Sequence, residues 1–140
     1  MPALQKSHAR AASFTQRRVL VADDNVDVTD MLAALLALSG HQVDIAHDGV
    51  KAVEAAIRIR PDAVLLDIGM PHLDGYGAAR QIREKLGRGV MLVAITGWGQ
   101  DEDRRRASDA GFDFHMTKPV DYDVLAKSLA EWNAGDLQIA

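Results

Sequence analysis

The sequence contains no cysteine, which excludes a disulfide-stabilised scaffold and any zinc site with cysteine ligands. It also lacks any apolar run near the roughly 18 residues that a membrane-spanning helix needs. Basic residues are not in excess, since 16 Lys and Arg stand against 20 Asp and Glu, and this balance argues against a nucleic-acid-binding face. We therefore expect a cytoplasmic protein that binds neither nucleic acid nor membrane.

The two chain ends differ from the middle. Residues 1–16 contain no acidic residue and lack the apolar stretch of about 7 to 15 residues in a secretory signal peptide. A transit peptide would share that composition, but we favour a flexible arm or linker. The 140 residues suit one domain, and 48% hydrophobic content is typical of a folded globular protein. We place this domain at residues 17–133, followed by a tail at 134–140 that is too short to be an output domain.

Strand and helix patterns alternate five times from Arg17 onward. The strand patterns are RRVLVAD, QVDIA, DAVLLD, VMLVAIT and FDFHMT. Continuous apolar runs such as VMLVAIT are typical of parallel strands covered on both faces. Five strand–helix units with short connections predict one doubly wound parallel sheet with helices on both faces. The more polar QVDIA strand is expected at an edge of this sheet.

The helix patterns carry predicted caps and predicted apolar faces. Asn25, Asp48 and Asp121 stand where an N-cap is expected before three of the helices. The first helix is expected from about Val26 to Leu38, the third from about Tyr76 to Leu86 and the fourth from about Gln100 to Ala110. Apolar spacing predicts one inward face in each of the first two helices. These faces are Met31, Leu32, Leu35 and Leu36 in the first helix, and Val50, Val53 and Ile57 in the second.

Polar residues stand where four of the apolar runs stop. They are Asp23 and Asp24, Asp67, Thr96, and Lys118. The carboxyl ends of parallel strands meet at one edge of the sheet, where ligands bind. A pair of carboxylates about 4 Å apart repels by about 4 kcal/mol at an effective dielectric constant near 20, so such a cluster requires a cation or a reaction. The hypothesis is a Mg²⁺ site in which Asp67 accepts a phosphoryl group.

Four motifs occur in order on these elements: VLVADDN, VLLDIGMPHLDG, VAITGWG and FHMTKPVD. With them, the chain from Arg17 to about Trp132 resembles the receiver domain of two-component response regulators. The resemblance implies a flavodoxin-like (βα)5 fold with strand order 2-1-3-4-5. It also implies a signalling module that catalyses at most its own phosphorylation and dephosphorylation.

The resemblance further implies a role for each site residue. Asp67 would be the phosphoacceptor. The Mg²⁺ ligands would come from Asp24, Asp67 and the backbone carbonyl of Gly69, while Asp23 orients a water of that ion. The phosphoryl oxygens would bind Lys118, the Thr96 hydroxyl and the Gly97 amide, and Pro119 would follow a cis peptide bond.

Three positions depart from common family members. His115 stands three residues before Lys118, where the family usually has a Tyr or Phe that turns inward on activation. It is either a switch residue or a partly exposed histidine without that role. Gly69 and Trp98 stand near the reacting groups, and we expect them to influence how long the phosphoryl group persists.

The resemblance implies a histidine kinase or a phosphotransfer protein as phosphodonor. A downstream protein would bind the face formed by residues 100–133. The chain would be a stand-alone receiver or the receiver part of a hybrid kinase. Two alternatives are a small Mg²⁺-dependent phosphohydrolase with an aspartyl-phosphate intermediate and a non-phosphorylated interaction module. The phosphohydrolase would need a second Asp two residues after the nucleophile, where this chain has Gly69.

Overall fold

The computed structural model describes residues 16–97 and 104–132. Over these residues, five strands alternate with five α-helices. The strands are β1 (Arg18–Ala22), β2 (Gln42–Ala46), β3 (Ala63–Asp67), β4 (Met91–Thr96) and β5 (Phe114–Thr117). The helices are α1 (Val26–Leu38), α2 (Gly49–Ile59), α3 (Gly75–Leu86), α4 (Arg104–Ala110) and α5 (Tyr122–Glu131), and a short 3₁₀ turn (Gly87–Gly89) precedes β4.

The five strands form one parallel sheet in the order β2-β1-β3-β4-β5. This confirms the predicted doubly wound fold, the strand order and the edge position of β2. In the register, Ala22 of β1 pairs with Leu66 of β3, and Asp67 pairs with Ile95 of β4. The ends of β1, β3 and β4 therefore lie side by side at one edge of the sheet.

A hydrophobic core lies on each face of the sheet. Leu20, Val64 and Leu92 point to one face with residues of α2, α3 and α4, while Val21, Leu65 and Val93 point to the other with α1 and α5. All five residues of β3 and all six of β4 are buried. Burial on both faces explains why these strands read as continuous apolar runs.

The predicted apolar faces of two helices are wrong in part. Leu32 and Leu36 of α1 are buried, but Met31 is 54% exposed. In α2, Val53 is buried, whereas Val50 and Ile57 are exposed. The buried face of α2 consists mainly of small residues that allow close approach to the sheet and to α3: Gly49, Ala52, Ala55 and Ala56. Val50 and Ile57 lie outside that buried face.

The helix caps follow the sequence prediction. The side chain of Asn25 accepts hydrogen bonds from the amides of Asp27 and Val28, and Asp48 and Asp121 accept comparable bonds at α2 and α5. Asp74 caps α3 in the same way through the Gly77 amide, so that α3 begins at Gly75. These side chains satisfy amides that the first turn of a helix leaves without a backbone partner.

Several predictions fall outside the described residues. These are the arm before Gln16, the tail at 134–140, Trp98 and the start of the fourth helix at Gln100. Within the described ranges, no helix combines the length and the apolar composition needed to cross a membrane.

Candidate functional site

Three carboxylates meet at the carboxyl edge of the sheet. Asp67 is the last residue of β3, and Asp23 and Asp24 directly follow β1. One oxygen from each of the three lies within 4.8 Å of the others. Asp23 and Asp67 are only 3% and 5% exposed, whereas Asp24 is exposed. The cluster therefore opens to solvent at Asp24, and its hard oxygen donors fit a divalent cation such as Mg²⁺.

Asp23 is held in place by the backbone around it. Its Oδ1 accepts a hydrogen bond from the Asn25 amide at 2.9 Å, and its own amide donates to the Ala46 carbonyl at 3.1 Å. The end of β1 is thus tied both to the start of α1 and to the end of β2. This fixes the carboxylate of Asp23 beside that of Asp67.

Lys118 lies in the acidic cluster. Its Nζ is 2.9 Å from Asp23 Oδ2 and 3.5 Å from Asp67 Oδ1. Its amide donates to the Thr96 carbonyl at 2.8 Å, and a cis peptide bond joins it to Pro119. The sequence indicated Lys118 as a phosphoryl ligand but did not indicate that its ammonium group contacts two of the three carboxylates.

Burial and the charges of the site shift the pKa values of Asp67 and Lys118. Burial of the Asp67 carboxylate, followed by the negative charge of Asp23, raises its pKa. Lys118 and the Gly69 amide, which lies 3.4 Å from Asp67 Oδ1, offset this only in part. Burial acts to lower the pKa of Lys118, but the hydrogen bond to Asp23 and the two negative charges together raise it. Lys118 therefore keeps its charge beside Asp67.

The loop after β3 carries Gly69 and is fixed at both ends. The Ile68 amide donates to the Ile95 carbonyl at 3.0 Å, and the Gly75 amide donates to the Ile68 carbonyl at 2.9 Å. A Cβ at Gly75 would lie 2.7 Å from the Asp67 carbonyl oxygen, so a side chain does not fit there. Gly69 itself is exposed and directly adjoins the cluster.

Sequence reasoning missed Gly49 as a contact of this loop. A Cβ at Gly49, the first residue of α2, would collide with the carbonyl oxygen of Leu73. The sequence did indicate a turn at Gly75, because Asp and Gly, as in Asp74-Gly75, are frequent turn residues. No sequence pattern indicated the close contact at Gly49, since its neighbour Leu73 lies in a distant part of the chain.

Thr96 and His115 form a contact beside the cluster. Thr96 ends β4 and is 2% exposed. Its Oγ1 lies 3.4 Å from Nε2 of His115 on β5. Gly97 directly follows Thr96 along the chain. The His115 ring is thus directed toward Thr96.

A downstream protein was predicted to bind the face of residues 100–133. In the described part of that face, Phe114 and Val124 are exposed.

A family model described as the response regulator receiver domain matches residues 19–130 of this chain. Among curated proteins, the response regulator MprA of Mycobacterium ulcerans is 39% identical over 102 residues, which are 73% of this chain and 44% of that protein. The chain therefore spans less than half the length of the curated relatives it matches.

Two solved structures are similar over most of the chain. The receiver domain of sensor histidine kinase PA1611 from Pseudomonas aeruginosa, described with a magnesium ion in its active site cleft, has a TM-score of 0.75 and 34% identity; the match covers 84% of this chain and 98% of that one. The second is a co-crystal structure of the Saccharomyces cerevisiae phosphotransfer protein Ypd1 and the receiver domain of its downstream response regulator Ssk1. Its TM-score is 0.77 at 28% identity, and the match covers 85% of this chain and 90% of that one.

Proposed function

Because this chain belongs to the response regulator receiver domain family, we propose that Asp67 accepts a phosphoryl group from a phosphohistidine of a kinase or phosphotransfer protein. One observation carries this assignment. Asp67 lies at the end of a buried strand, within reach of the Lys118 ammonium group and of two further carboxylates. We assign the receiver domain to residues 17–133, and the match of the family model to residues 19–130 supports this assignment.

The reaction needs no general base. The ionised Asp67 oxygen attacks phosphorus, the phosphorus–nitrogen bond breaks, and its electron pair returns to the imidazole of the donor. The ammonium group of Lys118, which contacts Asp23 and Asp67 in the structure, can donate a hydrogen bond to an oxygen of the transferred group. The Thr96 hydroxyl donates to another, with the Gly97 amide as an additional donor.

Asp23, Asp24, Asp67 and the Gly69 carbonyl would hold a Mg²⁺ ion. When bound, the ion neutralises charge on the carboxylates and on the phosphoryl group. The close approach of three carboxylate oxygens supports this assignment, as does the magnesium ion described in the cleft of the PA1611 receiver.

The phosphodonor is a histidine kinase or a phosphotransfer protein, and the Ypd1–Ssk1 complex shows that a related receiver binds such a partner. The downstream partner is a protein that binds the face of residues 100–133 in the cytoplasm. The described part of this face includes the exposed apolar side chains of Phe114 and Val124.

Intact mass spectrometry after incubation with acetyl phosphate and Mg²⁺ tests the proposal. We expect wild-type protein to gain the mass of one phosphoryl group. Asp67→Asn should gain none, and Asp109→Asn, which changes an exposed carboxylate on α4, should behave as wild type. Turnover of acetyl phosphate without an adduct would instead favour the phosphohydrolase. Neither adduct nor turnover would favour the interaction module.

A further inference from the structure

The contact between Thr96 and His115 follows from the pairing of β4 with β5. His115 pairs with Ala94 and Thr117 pairs with Thr96, so the side chains of Thr96 and His115 are diagonal neighbours on one face of the sheet. A threonine hydroxyl has one proton to donate and can also accept. At this contact, either Thr96 donates to Nε2 of His115, or Nε2 carries a proton and donates to Thr96.

A second pair in the same protein shows how such an ambiguity is resolved. Oγ1 of Thr29 lies 3.2 Å from Nε2 of His47 and also donates its proton to the Val26 carbonyl at 3.0 Å. Because that single proton is already committed, Nε2 of His47 must be the donor in the first contact. A threonine whose proton has another acceptor thus requires the Nε2–H form of its histidine neighbour.

We propose that phosphorylation imposes the same requirement on His115, which makes it a positioning residue for Thr96. The inference rests on the proposed function of Asp67 and Thr96. Phosphoryl oxygens only accept hydrogen bonds, and a bond to a charged acceptor is roughly twice as strong as a neutral one. The Thr96 proton therefore goes to the phosphoryl oxygen, and His115 keeps its contact only by donating from Nε2.

The result is a chain of hydrogen bonds from His115 to Thr96 to the phosphoryl group. Bonds in such a chain polarise one another, so the imidazole N–H strengthens the bond that Thr96 donates. A Phe at position 115 has no donor and cannot do this. The protonation pattern of His115, on the edge strand β5, then depends on whether the phosphoryl position is occupied.

Long-range proton–nitrogen correlation NMR on the full chain distinguishes the two neutral tautomers of each histidine. With Mg²⁺ and beryllofluoride as the probe of the phosphoryl position, we expect a proton on Nε2 of His115. In the probe-bound state, the ratio of the Nε2–H to the Nδ1–H form of His115 should be about two- to tenfold higher in wild type than in Thr96→Val. A change of this size corresponds to the free energy of one hydrogen bond. His47 is the internal reference and should keep its Nε2–H form throughout.

Probe affinity provides an independent measurement. His115→Phe should bind beryllofluoride about two- to tenfold more weakly, whereas His115→Gln, which keeps an N–H donor, should stay within about twofold of wild type. In a Thr96→Val background, His115→Phe should have no further effect, because the bond it removes is already absent.

An Nδ1–H form of His115 in the probe-bound wild type would overturn the inference. Equal effects of His115→Phe with and without Thr96 would overturn it as well. Failure of the proposed function looks different, because acetyl phosphate then leaves no adduct on Asp67. An adduct together with either of the first two results rejects only the role of His115.

Discussion

The negative charge on Asp67 opposes folding even though it serves the proposed reaction. Burial and the charge of Asp23 raise its pKa, so the carboxyl group ionises less readily in the folded protein than in the unfolded chain. A carboxyl group with a raised pKa contributes stability that is complete below the unfolded value near 3.9. That contribution is lost as the pH rises through the folded value. At neutral pH, the ionised Asp67 is therefore destabilising.

Asp67→Asn should consequently raise the melting temperature at pH 7 in chelator-treated buffer. The gain should shrink as the pH falls through the pKa of folded Asp67 and vanish well below about 3.9, where the aspartate is neutral in both states. Thermal melts followed by circular dichroism at several pH values measure this. Asp109→Asn, at an exposed site on α4, is the matched control and should show no such gain. A lower melting temperature for Asp67→Asn at pH 7 would contradict the argument.

Among the elements, α2 ends in an unfavourable backbone conformation. Its C-cap residue Arg60 has φ 48° and ψ 67°, in the left-handed region, and its amide donates to the Ala56 carbonyl. Pro61 follows and cannot continue the helix. Glycine adopts left-handed conformations without a steric penalty and is the usual residue at such a helix end.

Arg60→Gly should therefore stabilise the protein by about 0.5–1 kcal/mol. Arg58→Gly, the same substitution two residues earlier and within α2, should instead destabilise it by about 0.8–1 kcal/mol. Both side chains are exposed, so the pair isolates backbone conformation from the loss of a surface arginine. Urea unfolding of the two variants gives both free energies. Destabilisation by both substitutions would show that the left-handed backbone at Arg60 is not strained.

The strands and the helix caps could be predicted because each depends on local pattern, whereas the strand order was implied by the resemblance to the receiver family. Continuous apolar runs gave the buried strands β3 and β4, and single polar residues gave the caps of α1, α2 and α5. The buried face of α2 could not be predicted in this way. That face consists mainly of small residues because α2 packs closely against the sheet and α3. Helix periodicity does not specify such close packing.

For the whole molecule, the sequence located the site residues at strand ends, but the pairing among them depends on distances across the sheet. Lys118 could be placed beside Asp67 from its position after β5. Its shorter contact, however, is with Asp23 at 2.9 Å. Likewise, nothing local to Gly49 or Leu73 indicates that the start of α2 touches the loop after β3.

The acidic cluster joins segments that are far apart in sequence, so a cation held there should stabilise the entire fold. A ligand that binds only the folded chain adds about 2.7 kcal/mol to the free energy of unfolding at 100 times its dissociation constant, which corresponds to a rise of several degrees in melting temperature.

We expect this rise in melting temperature with MgCl₂, compared with NaCl of equal ionic strength, in wild type and in Asp27→Asn. Asp27 is exposed in the first turn of α1, outside the cluster. Asp24→Asn removes one of the three carboxylates and should abolish most of the rise. An undiminished rise in Asp24→Asn would mean that Mg²⁺ stabilises the protein from another site.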